Sequence, residues 1–168
     1  MNRLKISTLL CLLCISAPTW AMKSDTKQPI YIDSDSQQVD MPNNIVTFIG
    51  NVKLRQGTID IRANKVVVTQ PNAKSKQQTI MAYGKPATFH QIMEDGKPLD
   101  GEALTMRYET ATERLKMTGK AQLNQDGSNI KGNIITYNIR DQRLVAESGN
   151  KERVTTVILP SQLNNNKK

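Results

Sequence analysis

The chain has 168 residues, of which 23 are lysine or arginine and 15 are aspartate or glutamate, so its formal net charge is +8. A moderate positive charge favours an anionic partner in a general way, although solvated lysines that protect strand edges from aggregation would give the same balance. The chain contains one histidine, His90, and two cysteines, Cys11 and Cys14. Because a structural zinc ion takes about four histidine or cysteine ligands, the usual zinc sites are excluded.

The first 21 residues have the pattern of a secretory signal peptide. Arg3 and Lys5 precede an apolar run from Ile6 to Ile15. The run is too short for a membrane-spanning helix, and a small-x-small sequence follows it, so we expect cleavage after Ala21. Both cysteines lie inside the run. The exported 147 residues therefore have no thiol, carry a charge of +6 and must hold together by apolar burial, without disulfides.

A stretch of 24 residues, Val46–Thr69, is repeated 69 positions later along the chain. Without gaps, the identical pairs are Gly50 and Gly119, Leu54 and Leu123, Gln56 and Gln125, Ile61 and Ile130, and Asn64 and Asn133. A fainter third copy lies between Tyr83 and Tyr108. Repetition at this scale is typical of a stacked architecture, in which one unit cannot bury its apolar face alone.

The period within each repeat predicts β-strands. Val46, Phe48, Val52 and Leu54 alternate with polar residues, as in a strand with one buried face. After Ala63 the apolar positions change parity, and the same change recurs after Ala103 and after Gly132. A bulge at these points would keep the apolar residues inward. The sequence therefore predicts an all-β fold built of strand-turn-strand units, each with a corner.

The rest of the chain supplies further strands and turns, and no stretch after the leader predicts a helix. Ile30 opens the first strand after a polar lead-in. The predicted turns are Pro42–Asn44, the longest loop at 70–78, and the hairpin dipeptides Asp95-Gly96 and Asp126-Gly127. A β-branched run, Val154–Leu159, forms the last predicted strand, and we expect residues 164–168 to be a flexible tail.

The sequence gives little support for a catalytic, metal-binding, phosphate-binding or nucleic-acid-binding site. Asp33 and Asp35 look like a carboxylate pair, but residues two apart on a strand beside a turn are usually solvated. His90 is interpreted as a strand-surface residue. The aspartates lack calcium-loop spacing, and no glycine-rich phosphate loop is present. Aromatic side chains are too few for a nucleic-acid stacking platform. An enzyme is the weakest interpretation, and the sequence predicts neither a cofactor nor a metal. The glycines of the repeat, Gly50, Gly119 and Gly132, are better explained as bulge or close-approach residues.

The sequence from residue 22 onwards resembles the OstA-like family of periplasmic lipopolysaccharide-transport proteins. The stretches that carry the resemblance are Asp25–Ile30, Asn44–Val52, Gln56–Ile59, Asn64–Thr69, Tyr83–Phe89, Ser128–Gly132 and Arg153–Leu163. The resemblance implies one domain over residues 22–163, a twisted antiparallel β-jellyroll open along one side. It also implies that such domains stack end to end in the periplasm. The stack would join an inner-membrane complex with an LptC-type component to an outer-membrane translocon with an LptD-type component, and lipopolysaccharide would pass along the shared groove.

A groove for acyl chains also fits the residue types. The inward positions are mostly aliphatic, with alanine at residues 63, 82, 103 and 121; these small residues could equally fit a tight β-sandwich, and it is the resemblance that favours the groove. The predicted lipid-binding residues share the inward parity, apart from Phe89, which the resemblance alone supplies. They are Ile30, Ile32, Phe48, Phe89, Met106, Tyr108, Leu123, Ile135 and Tyr137.

An unclosed sheet has two edges with unpaired backbone groups. The N-terminal edge would be formed by Ile30 to Val39 and the C-terminal edge by Val154 to Leu159, which no charge interrupts. The C-terminal run is either covered within a monomer or kept available for strand addition to the next protomer, head to tail. The resemblance favours strand addition. The predicted edge residues are Ile30, Ile32, Val39, Val154, Val157 and Leu159.

Two other functions remain open from the sequence. One is a sibling role in the same transport system, as a membrane-anchored jellyroll component or the N-terminal domain of the translocon. The cleavable leader and the length of the chain argue against it. The other is a periplasmic scaffold or chaperone that binds proteins.

Overall fold

The structure, a computed structural model, describes residues 25–71, 77–149 and 153–159. The predicted leader and tail lie outside these ranges. The described residues form a short 3-10 turn at Asp25–Lys27 and ten strands. The strands are β1 (Tyr31–Asp33), β2 (Ser36–Asp40), β3 (Ile45–Gln56), β4 (Ile59–Thr69), β5 (Thr79–Ile92), β6 (Pro98–Glu109), β7 (Arg114–Gln125), β8 (Ser128–Asn138), β9 (Arg143–Glu147) and β10 (Thr155–Val157).

All ten strands belong to one antiparallel sheet that does not close. Strands β3 to β8 pair in chain order. At one edge β1 and β2 both pair with β3, and at the other edge β9 and β10 both pair with β8. The predicted antiparallel all-β fold is therefore confirmed.

A bulge interrupts every pairing from β3 to β8 at the same level. The register shifts between Ile49 and Val52 in β3, and at corresponding places in the next four pairs. Gly50 and Gly119 both have φ of +81° there, a conformation that glycine adopts without steric cost. The shifts lie where the apolar parity changes in sequence, which confirms the predicted corners.

The bulges divide the sheet into two halves that fold over one another. Layer A contains residues 36–40, 45–49, 65–69, 79–83, 105–109, 114–118, 134–138 and 143–147, and layer B contains residues 31–33, 52–56, 59–63, 87–92, 98–103, 121–125, 128–132 and 155–157. Phe89 of layer B meets Tyr137 of layer A edge to face, with ring centroids 6.3 Å apart. These rings lie three strands apart in the sheet, so the contact crosses the core between the layers.

The internal repeat is a repeat of structure. Strands β3 and β7 have 12 residues each, and β4 and β8 have 11 each. At the third glycine, Gly132, a Cβ atom would lie 3.0 Å from the carbonyl oxygen of Glu147. The sequence assignment of these glycines to bulges and close approaches is thus confirmed.

The predicted turn at Pro42–Asn44 and the two hairpin turns are confirmed. Most of the predicted loop at 70–78 lies outside the described residues, and the edge strands differ from expectation. The dipeptides Asp95-Gly96 and Asp126-Gly127 both lie in hairpin turns. The last strand spans only Thr155–Val157, shorter than the predicted run to Leu159. The N-terminal edge is split into β1 and β2, because the amide of Asp35 leaves the ladder and donates to the carbonyl of Gly50 at the bulge, at 3.0 Å.

A second contact between the layers is polar. The hydroxyl of Tyr108 in layer A donates to Oε1 of Gln56 in layer B at 3.1 Å, and both side chains are buried. Tyr137 is equally buried, yet its hydroxyl has no hydrogen-bond partner among the described residues. Burial raises the pKa of Tyr137 to about 12, with smaller contributions from Asp25 and Glu94, so the phenol is neutral in the physiological range.

These two tyrosines give a matched test of the interlayer hydrogen bond. Tyr108→Phe should lower the free energy of unfolding by about 1–3 kcal/mol, because it leaves a buried amide oxygen without its donor. Tyr137→Phe removes an unpaired hydroxyl and should have no destabilising effect. Urea denaturation of both variants measures the difference. Equal losses would show that the Tyr108 hydroxyl does not stabilise the layers.

Candidate functional site

An apolar hollow opens between the layers at the N-terminal edge of the sheet. Its volume is about 300 Å³. The side chains that line it are Ile30, Ile32, Val46, Phe48, Val68, Gln78 and Ile80. All but Gln78 are apolar, so the hollow presents hydrocarbon to whatever enters it.

The hollow exists because the edge strands are short. Residues Val46, Val68 and Ile80 lie side by side across three strands of layer A, in register. Strand β1 has only three residues and no strand beyond it within the described chain. Ile32 faces this row from layer B but does not cover it. As a result, Val46 and Val68, which would be core elsewhere in the sheet, are only half-buried here, whereas Ile80 is buried.

The nine predicted lipid-binding residues fall into two groups. Ile30, Ile32 and Phe48 line the hollow and pack against the main core. The other six lie in the closed core, each at most 4% exposed: Phe89, Met106, Tyr108, Leu123, Ile135 and Tyr137. Lipid contact by any of the nine stays a prediction. In this conformation only the first group is accessible from outside.

Sequence reasoning missed four residues that line the hollow. In the sequence, Val46 is an apolar strand position and Gln78 falls in the predicted loop, while Val68 and Ile80 are not singled out. Their signal was available in the register, since Val46 lies opposite Val68, which lies opposite Ile80. The sequence showed the parity of these residues but not that the sheet ends beside them.

A cluster of polar contacts lies where the hairpin turns of the two layers meet. Residues 25–28, which we name the N-terminal strap, cross this side of the molecule. The side-chain amide of Gln56 donates to the carbonyl oxygens of Thr26 and Gln28 at 3.1 and 3.0 Å. The carboxylate of Asp25 accepts from Thr58 and from Nε2 of Gln91. No sequence pattern indicated these contacts.

The outer face of layer B has a shallow polar depression around His90. Its imidazole Nδ1 lies 2.7 Å from the carboxylate of Asp100, and the side chain is 42% exposed, as predicted for a strand surface. The predicted carboxylate pair is exposed too: Asp33 pairs with Arg55 at 2.9 Å, and Asp35 accepts from Asn51 at 2.8 Å. Within the described ranges, no group of three or more metal-ligating side chains is present.

The two sheet edges expose apolar side chains. Val39 on β2 is 44% exposed, and Val157 on β10 is 53% exposed. Val154 and Leu159 flank β10 and are exposed as well. Ile30 and Ile32, predicted for both the edge and the groove, are half-buried against the hollow. Among the described segments, no helix has the length and apolar character needed to cross a membrane.

Comparison with known proteins gives consistent matches along the chain. Residues 31–143 match the family model described as LptA/(LptD N-terminal domain) LPS transport protein. The lipopolysaccharide export system protein LptA of Escherichia coli K12 is 49% identical over 164 residues, covering 96% of this chain and 89% of that protein. The protein of the same name from Haemophilus influenzae is 47% identical over 160 residues, covering 95% and 93%.

A solved structure shows the same fold. The crystal structure of LptH from Pseudomonas aeruginosa is described as the LptA-homologous periplasmic component of a lipopolysaccharide transport device. It matches with a TM-score of 0.74 and 25% sequence identity, over 82% of this chain and 100% of that one. The fold, the matched length and the identity agree with the resemblance found in sequence, and with a transport protein in place of an enzyme. The chain belongs to the LptA/LptD N-terminal domain family of lipopolysaccharide transport proteins.

Proposed function

We propose that this protein binds lipopolysaccharide through its acyl chains and carries it across the periplasm from the inner to the outer membrane. The observation that carries the proposal is the apolar hollow, whose lining packs directly against the core between the layers. Each CH₂ group removed from water contributes about 0.8 kcal/mol, so acyl chains need an apolar path through an aqueous compartment. The names of the relatives support the cargo.

The sheet edges support a head-to-tail bridge. At the N-terminal edge, layer A ends in the five residues of β2 and layer B in the three of β1. At the C-terminal edge, layer A ends in the five residues of β9 and layer B in the three of β10. In each layer, the edge strand at the C-terminal edge of one protomer therefore has the same length as the edge strand at the N-terminal edge of the next protomer.

Strand direction is compatible with the same arrangement. Strands β1 and β2 run antiparallel to β3, while β9 and β10 run antiparallel to β8. Since β3 and β8 lie an odd number of steps apart in an antiparallel sheet, the two edges run in opposite directions. Joining them continues the antiparallel sheet through strand addition. Such a heterologous contact produces open filaments, with an LptC-type component at one end and an LptD-type component at the other.

Photo-crosslinking tests the hollow as the lipid site. A photoreactive residue at Ile32 or Phe48 should capture lipopolysaccharide in cells, because both side chains line the hollow. The same residue at Lys53 or Arg55, on the polar parity of β3, is the control. Adducts resolved by electrophoresis and identified by lipopolysaccharide antibody measure the yield. Equal capture at all four positions would contradict the groove, and capture of proteins alone would favour a scaffold or chaperone.

The C-terminal edge can be tested by one substitution and its matched control. Val157→Pro removes a backbone donor from β10 and should abolish concentration-dependent association in analytical ultracentrifugation. Val157→Thr keeps the donor and the β-branch and should associate as the unchanged protein does. Circular dichroism verifies that both variants fold. A folded proline variant that still associates would show that β10 is not the docking edge.

A further inference from the structure

The N-terminal strap fastens the two layers together on one side of the molecule. On the layer B side, the Asp25 carboxylate accepts from the amide of Thr58 at 2.7 Å and from its hydroxyl at 2.6 Å. Gln91 and Gln56 add side-chain bonds to the strap, as described above. Layer B thus binds the strap through the ends of β3 and β5 and the turn after β3.

On the layer A side, the strap meets the turn between β6 and β7. The side chain of Thr26 lies beside the carboxylate of Glu113, and the charge of Lys27 lies near it as well. Arg140, from the turn after β8, holds the same carboxylate at 2.8 Å. The hydrogen bond from Arg140, and after it Thr26 and the positive charges of Arg140 and Lys27, hold the pKa of Glu113 below its ordinary value. The strap therefore contacts both layers: Asp25 is bonded to Thr58 of layer B, and the Gln56 amide that holds the strap is bonded to Tyr108 of layer A.

The layers can separate only on this side. Along the bulges every long strand passes from one layer into the other, so the backbone joins them there. At the opposite side both layers end in hairpin turns, with no covalent link between them. The contacts that hold this side are the strap, the Tyr108–Gln56 bond and the apolar core.

The hollow is too small for the proposed cargo while the strap is in place. Pockets for drug-sized ligands measure about 300–1,000 Å³, and the hollow, at about 300 Å³, lies at the lower limit. Lipopolysaccharide carries several acyl chains. The strap continues through Pro29 into Ile30, which lines the hollow, so releasing the strap would extend the hollow into the core.

The burial of the strap and of the atoms beneath it favours its detachment. None of the residues in its turn, Asp25–Lys27, is buried, so lifting it leaves no cavity in the core. Beneath it, Gln91 Oε1 and the Tyr137 hydroxyl are buried without a hydrogen-bond partner in the described chain. Both atoms would gain partners, from water or from polar atoms of a ligand, once this side opens.

We propose that the N-terminal strap is a latch that must detach from layer A before acyl chains can enter the core between the layers. The inference rests on the proposed function and adds to it a closed state, a defined opening side and the residues that hold it shut. Asp25 anchors the latch to layer B, and Thr26 and Glu113 close it on layer A. An opened strap exposes the six predicted lipid-binding residues that the closed form buries.

A reversible cross-link between strap and layer A tests the latch. In the exported chain, from residue 22 onwards, which has no native cysteine, Thr26→Cys and Glu113→Cys are joined by a short bifunctional methanethiosulfonate linker, which reductant cleaves. Uptake of fluorescent lipopolysaccharide from detergent dispersion should slow about tenfold or more when linked and recover on reduction. The control pair, Lys53→Cys and Arg62→Cys, lies directly opposite within layer B, and linking it should leave uptake unchanged.

Each outcome of this experiment is informative. Unchanged uptake by the linked Thr26–Glu113 pair would overturn the latch, as would failure of that pair to link, since the two side chains are in contact when the strap is closed. If none of the proteins, linked or reduced, takes up lipopolysaccharide, the proposed function itself fails and the latch with it. Slower uptake by both pairs would show that any added rigidity suffices, which also overturns the latch.

Substitution of Asp25, which anchors the strap to layer B, gives an independent test in which uptake should become faster. Asp25→Ala deletes the acceptor for Thr58 and Gln91 and should raise the initial uptake rate several-fold, with faster hydrogen exchange at the strap. Asp40→Ala is the matched control, because that carboxylate caps only the turn at Asn43. Thermal melts confirm that both variants fold. Uptake by a folded Asp25→Ala at the unchanged rate would contradict the role of the strap.

Discussion

The structure depends on a constraint that acts at one level of the sheet, where every long strand must present its apolar side chains to the same core on both sides of a corner. Side chains alternate with a period of two, so a strand that bends over the core without a bulge would turn its apolar set outwards. Extra residues in one strand of each pairing, two where β5 pairs with β4 and β6 and one in the other three, accompany the change of parity. Gly50 and Gly119 adopt φ of +81° at this level, which would cost an ordinary L-residue about 1–2 kcal/mol. Because the bulges align, six strands fold as one hinge and produce two layers from one meander.

A sheet folded in this way differs from a barrel because it leaves backbone hydrogen-bonding groups unpaired at its two edges. A barrel pairs its first and last strands and has no edge. Here the first and last strands stay apart, and each edge consists of two short strands, one per layer. The fold therefore has an apolar mouth at its end and backbone groups ready to pair. The hollow beside Ile32 and the exposed Val157 are consequences of the same missing closure.

Much of this fold could be predicted from the sequence because its information is local or periodic. The parity change after Ala63 marks a bulge, and a stretch repeated 69 positions later marks two equal hairpins. The hairpin turn at Asp95-Gly96 is predicted by this dipeptide alone. The closed core was not predicted, because the same inward residues can pack on one another or on a lipid. The strap was missed for a different reason: Asp25 contacts Gln91, 66 positions away, through single polar side chains that leave no period in the sequence.

The division between an apolar core and a polar fastening has a consequence for transport. A core at native packing density has no room for acyl chains, so loading must exchange contacts between the layers for contacts with lipid. That exchange replaces apolar surface with apolar surface, and its net free energy is small relative to the total burial. The polar bonds of the strap, each worth about 0.5–1.5 kcal/mol net and more where a charge takes part, are then the contacts that distinguish the closed state from the loaded one. A carrier fastened through Asp25 and Glu113 can remain folded when empty and still open for its cargo without losing its core.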